Sequence, residues 1–320
     1  MKALVTGGAG FIGSHLSESL LNLGWSVAVV DDLSTGSLAN IAAMQNNTNF
    51  HFIQGSICDS NLMRSFIDNC DVVFHLAAAV GVRLIVEQPV RTIRTNIHGT
   101  EVMLELACKF HKKVLITSTS EVYGKSTAVP FCEDDDSIFG STRFSRWSYA
   151  CSKAIDEFLA FAYHDEYDVP VIITRLFNTI GPRQTGRYGM VVPRFINLAL
   201  KNEPILIYGT GRQTRCFACI TDIVDGLITL MQCPEAPGRI FNLGSTEEIS
   251  INDLADRIIQ KTASKSEKKF IPYEQAYGRP FDDMMQRVPC IHRVHETIGW
   301  RPKLNLDETL GLIIADIKRT

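Results

Sequence analysis

The sequence lacks the features that mark a membrane protein, a nucleic-acid-binding protein or a disulfide-stabilised secreted domain. No apolar run approaches the ~20 residues that a membrane-spanning helix needs, and no internal repeat is visible. The 32 lysines and arginines are outnumbered by 35 aspartates and glutamates, so a net charge of −3 provides no basic surface for nucleic acid or an anionic membrane. The nine cysteines are scattered, and their odd number indicates reduced thiols.

Two further absences concern location and metal binding. The first predicted strand begins at residue 2, which leaves no room for a secretory signal before it. Cys216-Phe-Ala-Cys219 has no second cysteine pair near it and lies in a run typical of a buried strand, so we expect neither metal nor redox chemistry there. The sequence therefore predicts a cytoplasmic protein without a metal site.

The N-terminal region has the pattern of a phosphate-binding βαβ unit. The apolar run Lys2-Ala-Leu-Val-Thr6 leads into Gly7-Gly-Ala-Gly10-Phe-Ile-Gly13, and a helical pattern then ends at Gly24. Glycines at these positions let backbone N–H groups and the helix N-terminus approach a pyrophosphate. A second apolar run, 25–30, ends at Asp31, whose carboxylate is placed to accept hydrogen bonds from adenosine ribose hydroxyls. Because a carboxylate repels a 2′-phosphate, the sequence predicts NAD rather than NADP.

The rest of the chain alternates between strand and helix patterns. Predicted strands are 50–54, 72–76, 113–117 and 171–176, and predicted helices are 90–110, 149–167, 191–200 and 251–259. Two charged stretches, 133–136 and 261–269, are predicted to be solvated. This alternation is typical of an α/β fold in which helices cover both faces of a doubly wound parallel sheet. We expect a Rossmann domain and a smaller C-terminal α/β domain for the substrate.

The predicted domain boundaries follow the loosening of the pattern beyond Leu176. Residues 1–176 are assigned to the NAD-binding domain, to which a segment at about 214–243 is expected to return. Residues 177–213 and 244–320 are assigned to the substrate-binding domain.

A second motif carries groups suited to proton transfer. Three consecutive side chains supply hydroxyls and a carboxylate: Thr119, Ser120 and Glu121. Further on, Tyr149 and Lys153 are four positions apart in a predicted helix, so they project from the same face. A free tyrosine is a poor base at neutral pH, but a neighbouring ammonium favours the phenolate. We therefore expect Tyr149 to act as a base with help from Lys153 and Thr119.

These motifs, in this order, resemble the extended short-chain dehydrogenase/reductase family, which includes sugar-nucleotide epimerases, dehydratases and decarboxylases. The resemblance extends over essentially the whole chain. Further stretches that carry it are Thr6-Gly-Gly-Ala-Gly-Phe-Ile-Gly-Ser14, Gly55-Ser-Ile-Cys-Asp59, His75-Leu-Ala-Ala78, Asn96-Ile-His-Gly-Thr100, Arg175-Leu-Phe-Asn178, Gly181-Pro-Arg183, Tyr208-Gly-Thr-Gly211 and Arg215. It implies a retained NAD that oxidises the C4 hydroxyl of a UDP-sugar.

The resemblance also implies roles for individual residues. NAD is expected to contact Gly7, Gly10, Phe11, Ile12, Gly13, Asp31, Asp32, Ile57, Asp59, Leu76, Ala77, Ala78, Asn96 and Lys153. Within this set, Asp59 is expected at the adenine and Lys153 at the nicotinamide ribose. The UDP-sugar is expected to contact Asn178, Val192, Tyr208, Arg215 and Arg287.

Assembly is predicted from two helices that carry more apolar residues than one sheet face needs. These residues are Ile93, Ile97, Met103, Leu104, Leu106, Ile155, Phe158, Leu159 and Phe161. Related enzymes pair the two helices into a four-helix bundle across a two-fold axis, so we expect a homodimer.

The reaction is indicated by the sequence Thr119-Ser120-Glu121. Hexose 4-epimerases generally lack an acid at the position of Glu121, and 4,6-dehydratases carry an Asp where Ser120 stands. The form found here is similar to that of UDP-glucuronate decarboxylases, as are Arg146-Trp-Ser-Tyr149-Ala-Cys-Ser-Lys153 and Phe281-Asp-Asp-Met-Met-Gln-Arg287-Val-Pro289. Cys290 and Lys125 depart from that pattern, since decarboxylases usually have Asp at both positions.

Decarboxylation has a direct chemical reason. Oxidation at C4 of a glucuronic acid places a ketone β to the C5 carboxylate, so carbon dioxide can leave. Arg287 is predicted to bind that carboxylate through charge-assisted hydrogen bonds, while Glu121 and Ser120 orient it together with a proton-donating water. The nearest alternative is a UDP-glucose or UDP-glucuronate 4-epimerase, in which Glu121 is structural. A dTDP-glucose 4,6-dehydratase and a silent NAD-binding regulator are the remaining alternatives.

Overall fold

The computed structural model describes residues 1–81, 88–186, 190–277 and 283–319. Its strands are β1 (Lys2–Thr6), β2 (Ser26–Asp31), β3 (Phe50–Gln54), β4 (Val72–His75), β5 (Lys113–Thr119), β6 (Val171–Leu176), β7 (Thr179–Ile180), β8 (Ile205–Tyr208), β9 (Thr214–Cys216), β10 (Ala218–Cys219), β11 (Arg239–Leu243), β12 (Glu248–Ser250) and β13 (Lys268–Ile271).

The helices surround these strands. They are α1 (Phe11–Asn22), α2 (Leu38–Ile41), α3 (Ser60–Asn69), α4 (Pro89–Lys109), α5 (Arg146–Tyr167), α6 (Val191–Leu200), α7 (Ile220–Gln232), α8 (Ile251–Thr262), α9 (Tyr273–Tyr277), α10 (His292–Ile298) and α11 (Leu306–Arg319). Short 3₁₀ turns occupy Ala42–Met44 and Ser120–Tyr123. Within the described ranges, no helix combines the length and the apolar character needed to span a membrane.

A seven-stranded parallel sheet with the order β11-β6-β5-β4-β1-β2-β3 forms the centre of the fold. Strand β1 lies in the interior of this sheet, where Val5 pairs with Val29 of β2 and with Phe74 of β4. Neighbouring residues of β1 face opposite sides: Val5 belongs to one buried apolar cluster and Leu4 to another. Because both faces of the sheet are covered, its interior strands are mostly apolar, and the predicted doubly wound α/β fold is confirmed.

The C-terminal part has its own apolar cluster, which includes Phe195, Ile207, Leu254 and Leu310. Small pairs of strands support it: β8 with β13, β9 with β12, and β7 with β10. Strand β11 returns to the large sheet and pairs with β6 after the chain has left that sheet at Leu176. The division of the chain into an NAD-binding and a sugar-nucleotide-binding part stays a prediction.

Most residues of the two stretches predicted to be solvated are exposed, but each stretch also has a distant partner that was not predicted. Residues 261–269 are not one loop, because Lys268 and Lys269 begin β13 and pair with Ile205 and Leu206 of β8. Glu133 is only 6% exposed, and its carboxylate accepts a 2.8 Å hydrogen bond from the backbone N–H of Asn242. In both cases the partner comes from a segment that is distant in sequence, and the local density of charged residues does not predict that contact.

Candidate active site

A cleft of about 490 Å³ runs along the carboxyl ends of the central strands. This is the edge at which open parallel sheets bind their ligands, and the volume is typical of small-molecule sites. Predicted site residues on its walls are Gly7, Gly10, Phe11, Ile12, Gly13, Asp31, Asp32, Ile57, Leu76, Ala77, Ala78, Thr119, Ser120, Glu121, Tyr149, Asn178, Val192, Tyr208, Arg215 and Arg287. The fold therefore brings most of the predicted set together.

The glycine loop at one end of the cleft fits a dinucleotide pyrophosphate. Gly7 has φ +71°, and a Cβ there would lie 2.9 Å from the backbone of Ala77. A Cβ on Gly13 would lie 2.3 Å from the carbonyl oxygen of Gly7, so the helix packs too closely for any side chain. Helix α1 begins after Gly10 with no side-chain cap and no acidic residue in its first turn. Its first N–H groups are thus arranged for an anionic ligand.

Asp31 ends β2 at the same side of the cleft and is 7% exposed. Its carboxylate accepts hydrogen bonds from the backbone N–H groups of Ala9, at 3.0 Å, and Leu33, at 2.8 Å. Burial raises the pKa of Asp31, and these two bonds oppose that rise. Since each carboxylate oxygen accepts more than one bond, the group retains capacity for ribose hydroxyls.

Three predicted cofactor contacts, Asp59, Asn96 and Lys153, are not among the residues that line the cleft. Asp59 caps α3 by accepting from the N–H groups of Asn61 and Leu62 at 3.0 and 3.1 Å. Asn96 accepts from the N–H of Ala79 at 2.8 Å and therefore fixes the loop that forms the wall. The third is Lys153, which is 2% exposed. Direct contact of these side chains with NAD stays a prediction.

Tyr149 and Thr119 form the predicted proton-transfer pair. Tyr149 is 9% exposed, and Thr119 ends β5 within hydrogen-bonding range of its phenol. Burial, followed by the charge of Glu121, raises the pKa of Tyr149, while the bond to Thr119 and the charge of Arg287 oppose the rise. The predicted lowering of this pKa by Lys153 stays a prediction. The Lys153 ammonium itself donates a 2.7 Å hydrogen bond to Asp156.

Glu121 is held by two arginines from different parts of the chain. Arg287 Nη2 lies 2.7 Å from Glu121 Oε1, and Arg146 Nη2 lies 3.1 Å from Oε2. Burial alone raises the pKa of Glu121, but Arg146, Arg287 and Arg215 together outweigh it and lower the pKa to about 2. Glu121 is therefore a carboxylate at neutral pH and has no proton to donate.

Asp283 is a site residue that the sequence interpretation missed. One of its oxygens lies 3.2 Å from Arg146 and 3.0 Å from Arg215, and the other accepts from the Tyr273 hydroxyl at 2.9 Å. Asp283 lies in the tail motif, but nothing in the motif indicates that its partners are far away in sequence. Phe281 and Asp282 of that motif lie outside the described residues.

The charges of this cluster do not cancel. Arg146, Arg215 and Arg287 face Glu121 and Asp283, so three guanidinium groups meet two carboxylates and leave one positive charge in excess. Burial, followed by the charge of Arg287, lowers the pKa of Arg215 to about 10, so Arg215 remains protonated at neutral pH. A buried excess of positive charge favours an anionic ligand.

The remaining predicted substrate residues surround this cluster. Arg287 Nη1 lies 3.4 Å from the Ser120 hydroxyl and 3.5 Å from Asn178 Oδ1, while Asn178 Nδ2 donates to the carbonyl of Cys216 at 2.9 Å. Val192 is fully buried, and the ring of Tyr208 is covered by the Arg194 guanidinium at 4.0 Å. The tail that carries Arg287 is fixed by the N–H of Cys290, which donates to the Phe131 carbonyl at 2.8 Å.

Comparison with known families identifies the chain. The sequence profile of the GDP-mannose 4,6 dehydratase family matches residues 4–312. The chain belongs to this family. Its resemblance to the extended short-chain dehydrogenases is thereby confirmed.

Three relatives from this family illustrate the range of reactions. UDP-N-acetyl-alpha-D-glucosaminuronate decarboxylase of Bacillus cytotoxicus is 41% identical over 97% of this chain and 95% of its own length. UDP-glucuronic acid decarboxylase 4 of Arabidopsis thaliana is 37% identical over 100% of this chain and 69% of its own. The crystal structure of UDP-glucuronic acid 4-epimerase from Bacillus cereus, in complex with UDP-glucuronic acid and NAD, has a TM-score of 0.90 at 30% identity, covering 100% of this chain and 99% of the other.

Proposed function

We propose that this chain is an NAD-dependent decarboxylase of a UDP-linked hexuronic acid, with UDP-glucuronate as the first candidate. The observation that carries the proposal is the contact between Arg287 and Glu121 beside Tyr149 and Thr119. This contact belongs to the cluster of three arginines and two carboxylates, whose excess positive charge lies next to the groups suited to oxidation at C4. The ring of a neutral hexose has no charged group at C5 that could pair with this positive charge, whereas the C5 carboxylate of a hexuronic acid pairs with it.

The two ends of the cleft divide the proposed ligands between them. NAD occupies the end formed by the glycine loop, Asp31 and Ile57, and the UDP-sugar lies toward Asn178 and Arg215. Residues 1–176 with 214–243 supply the first end, and 177–213 with 244–320 supply most of the second. The fully buried Val192 and the guanidinium-covered Tyr208 give the second end rigid walls.

The first half of the proposed reaction oxidises C4. NAD, when bound, supplies the hydride acceptor for C4 and a positive charge beside the phenol. Tyr149 takes the proton of the C4 hydroxyl, and the Thr119 hydroxyl bonds the reacting oxygen and relays that proton. Because burial raises the pKa of Tyr149, the phenolate forms only with nearby positive charge.

The second half releases carbon dioxide from C5. The bond between C5 and the carboxylate carbon breaks, and its electron pair forms an enolate with the new C4 ketone. Arg287 and Arg146 hold the carboxylate before it leaves, while ionised Glu121 fixes both guanidinium groups. Glu121 has no proton to give, so the proton for C5 comes from water, which the Ser120 hydroxyl is placed to orient. Tyr149 would then return the proton to the C4 oxygen as the hydride passes back from reduced NAD to C4, which would give UDP-xylose. Release of the 4-keto sugar before that return would leave the nicotinamide reduced.

A second candidate substrate is UDP-N-acetylglucosaminuronate. It is favoured by the 41% identity with the Bacillus cytotoxicus decarboxylase of that sugar. Both sugars present the same C5 carboxylate and C4 hydroxyl, and they differ at C2. Epimerisation of UDP-glucuronate at C4 is the alternative reaction, since the Bacillus cereus enzyme shares the fold and the carboxylate substrate.

The deciding experiment is mass spectrometry of the products formed from four sugar nucleotides. UDP-glucuronate and UDP-N-acetylglucosaminuronate are expected to lose one carbon dioxide, and the faster of the two identifies the substrate. UDP-glucose and dTDP-glucose are expected to remain unchanged. Turnover of a uronate with no change in mass, together with a new C4 stereoisomer on chromatography, contradicts the decarboxylase and supports the epimerase. Loss of water from dTDP-glucose supports the dehydratase.

The proposed enzyme is a cytoplasmic homodimer. All nine cysteines are free in the structure, which agrees with a reducing compartment. Of the apolar residues predicted to pair two subunits, Met103, Leu104 and Leu106 are buried within the chain. Phe158 and Ile155 of α5 are 76% and 46% exposed, and Ile93 of α4 is 37% exposed. These exposed side chains on two adjacent helices are the surface that a second copy would cover.

A further inference from the structure

The proposed catalytic lysine forms a buried ion pair inside helix α5. Lys153 Nζ donates a 2.7 Å hydrogen bond to Asp156 Oδ2, three positions further along the helix. The side chains are 2% and 1% exposed. An exposed pair at this spacing adds little to stability, but a buried ammonium without a partner is strongly unfavourable. The aspartate therefore decides whether Lys153 can keep its proton in this position.

Other charged or titratable groups lie on α5 and on the elements packed against it, but none of them takes the place of Asp156 as the partner of the Lys153 ammonium. His75 of β4 is fully buried, and burial, with a contribution from the charge of Lys153, lowers the pKa of His75 to about 3. Glu157 is committed to Arg175 of β6 at 2.7 Å. The nearby charges of Glu121 and Arg287 are paired with each other. Among the described residues, Asp156 is the acidic side chain in contact with the ammonium.

We propose that Asp156 is a positioning residue, which anchors the ammonium of Lys153 on the helix face that carries Tyr149 and keeps that ammonium charged. The proposal rests on the proposed function for its kinetic consequence. An ammonium has three donors, and Asp156 uses one, so two remain for groups on the cleft side. Burial raises the pKa of Asp156, and the charge of Lys153 and its hydrogen bond, followed by the Thr100 hydroxyl, oppose that rise.

The variant Asp156→Asn tests the proposal because it keeps the size of the side chain and removes its charge. Lys153 then gives up its proton more readily, and Tyr149 loses the nearby positive charge at high pH. We expect kcat for decarboxylation, and for the reduction of bound NAD, to acquire a new alkaline limb that falls about tenfold per pH unit. Asp165→Asn, an exposed change on the same helix, is expected to keep the wild-type profile. Asp156→Glu is expected to restore it.

A second measurement needs no turnover. In Asp156→Asn, the unfolded chain binds a proton at Lys153 that the folded chain holds less tightly, so folding is penalised most at neutral pH. The deficit in thermal midpoint relative to wild type is therefore expected to shrink from neutral pH to about pH 10. The double variant Lys153→Met, Asp156→Asn is expected to be more stable than Asp156→Asn alone, because it leaves no buried unpaired charge.

The outcomes separate the two proposals. A wild-type protein that decarboxylates no uronate refutes the proposed function, while the thermal midpoints still decide the role of Asp156. A pH-independent deficit, with no gain from the double variant, shows that Asp156 only fills space and overturns the inference. An unchanged kcat profile in an active Asp156→Asn enzyme overturns it as well.

Discussion

Glu121 and Arg287 are 166 positions apart in the chain, yet Arg287 Nη2 donates a 2.7 Å hydrogen bond to Glu121 Oε1. The pair joins the end of β5, where Thr119 lies, to a tail segment near the C-terminus. Both side chains are largely buried, at 16% and 7% exposure, so removal of one partner would leave a buried unpaired charge and is costly. Its position beside Tyr149 brings the proposed carboxylate-binding group next to the proposed base.

Replacement of Glu121 by Gln is expected to separate oxidation from decarboxylation. The guanidinium groups of Arg146 and Arg287 lose the charge that orients them. Tyr149 and Thr119 stay in place, and the pKa of Tyr149 is no longer raised by the charge of Glu121. With UDP-glucuronate, absorbance of reduced nicotinamide is expected to rise while carbon dioxide release falls roughly a hundredfold. The exposed Glu105→Gln is the matched control. Carbon dioxide release at the wild-type rate would show that Glu121 is not needed for decarboxylation and has only a structural role.

The same ion pair predicts how the wild-type rate depends on pH. The pKa of Glu121 is lowered to about 2, so its carboxylate stays ionised at every pH above that value. Protonation of Glu121 is therefore expected to cause no fall in kcat between about pH 4 and about pH 8. The profile should be compared in wild type and Glu121→Gln. An acid limb near the ordinary carboxyl range that disappears in the variant would contradict the electrostatic assignment.

Arg287→Ala is expected to discriminate between sugar nucleotides. UDP-glucuronate presents a C5 carboxylate to the guanidinium, and UDP-glucose does not. Loss of a charge-assisted pair costs about 2 kcal/mol or more, so binding of UDP-glucuronate should weaken roughly thirtyfold, and that of UDP-glucose much less. Calorimetry on the NAD-loaded protein measures both. The exposed Arg212→Ala serves as control. Equal weakening of both ligands indicates a general electrostatic effect and not carboxylate recognition.

Tyr149→Phe removes the proposed base without changing the ring. Overall turnover is expected to fall by roughly a hundredfold or more, and the reduction of bound NAD should fall with it, because C4 oxidation precedes carbon dioxide loss. Tyr163→Phe, on the same helix but away from the cleft, is expected to retain full activity. Normal reduction of NAD in Tyr149→Phe would show that another residue is the base.

The elements that the sequence predicts well are those whose pattern is local. Strands β1 to β6 are predicted from their apolar runs, and the glycine loop from its place between a strand pattern and a helix pattern. Lys268 in β13 and the buried Glu133 are not, since their partners, Ile205 and Asn242, are far away in sequence. Periodicity describes one element at a time and carries no information about which distant segment completes it.

In the candidate site, too, local motifs are predictable from the sequence and contacts between distant residues are not. Tyr149, Thr119 and Lys153 belong to compact motifs, whereas the contact of Asp283 with Arg146 spans 137 positions and has no local sign. The pairing of Lys153 with Asp156 is visible in the sequence as a three-residue spacing. Such spacing normally indicates a surface pair, and only the burial of both side chains reveals a different role.

Selection of NAD over NADP is expected to depend on the charge of Asp31. NAD should bind at least about tenfold more tightly than NADP, because the carboxylate at the end of β2 repels a 2′-phosphate. Asp31→Asn preserves the shape of the side chain, but its single amide oxygen can accept from only one of the N–H groups of Ala9 and Leu33. The variant should therefore lose some stability, and its preference for NAD over NADP should become smaller. Calorimetry with both dinucleotides measures it. Tighter binding of NADP by wild type would refute the role given to Asp31.

Assembly is expected to depend on the exposed apolar surface of α5. Phe158 is 76% exposed, which is unusual for so large an apolar side chain, and Ile155 lies one turn before it. A glutamate at position 158 places a charge where a second subunit would bury the ring, so Phe158→Glu should convert a homodimer into a monomer in light scattering at micromolar concentration. Phe270→Glu is the matched control, since Phe270 is 50% exposed on β13, in the C-terminal part of the chain. A wild-type protein that is itself monomeric, or a Phe158→Glu variant that stays dimeric, excludes this surface as the interface.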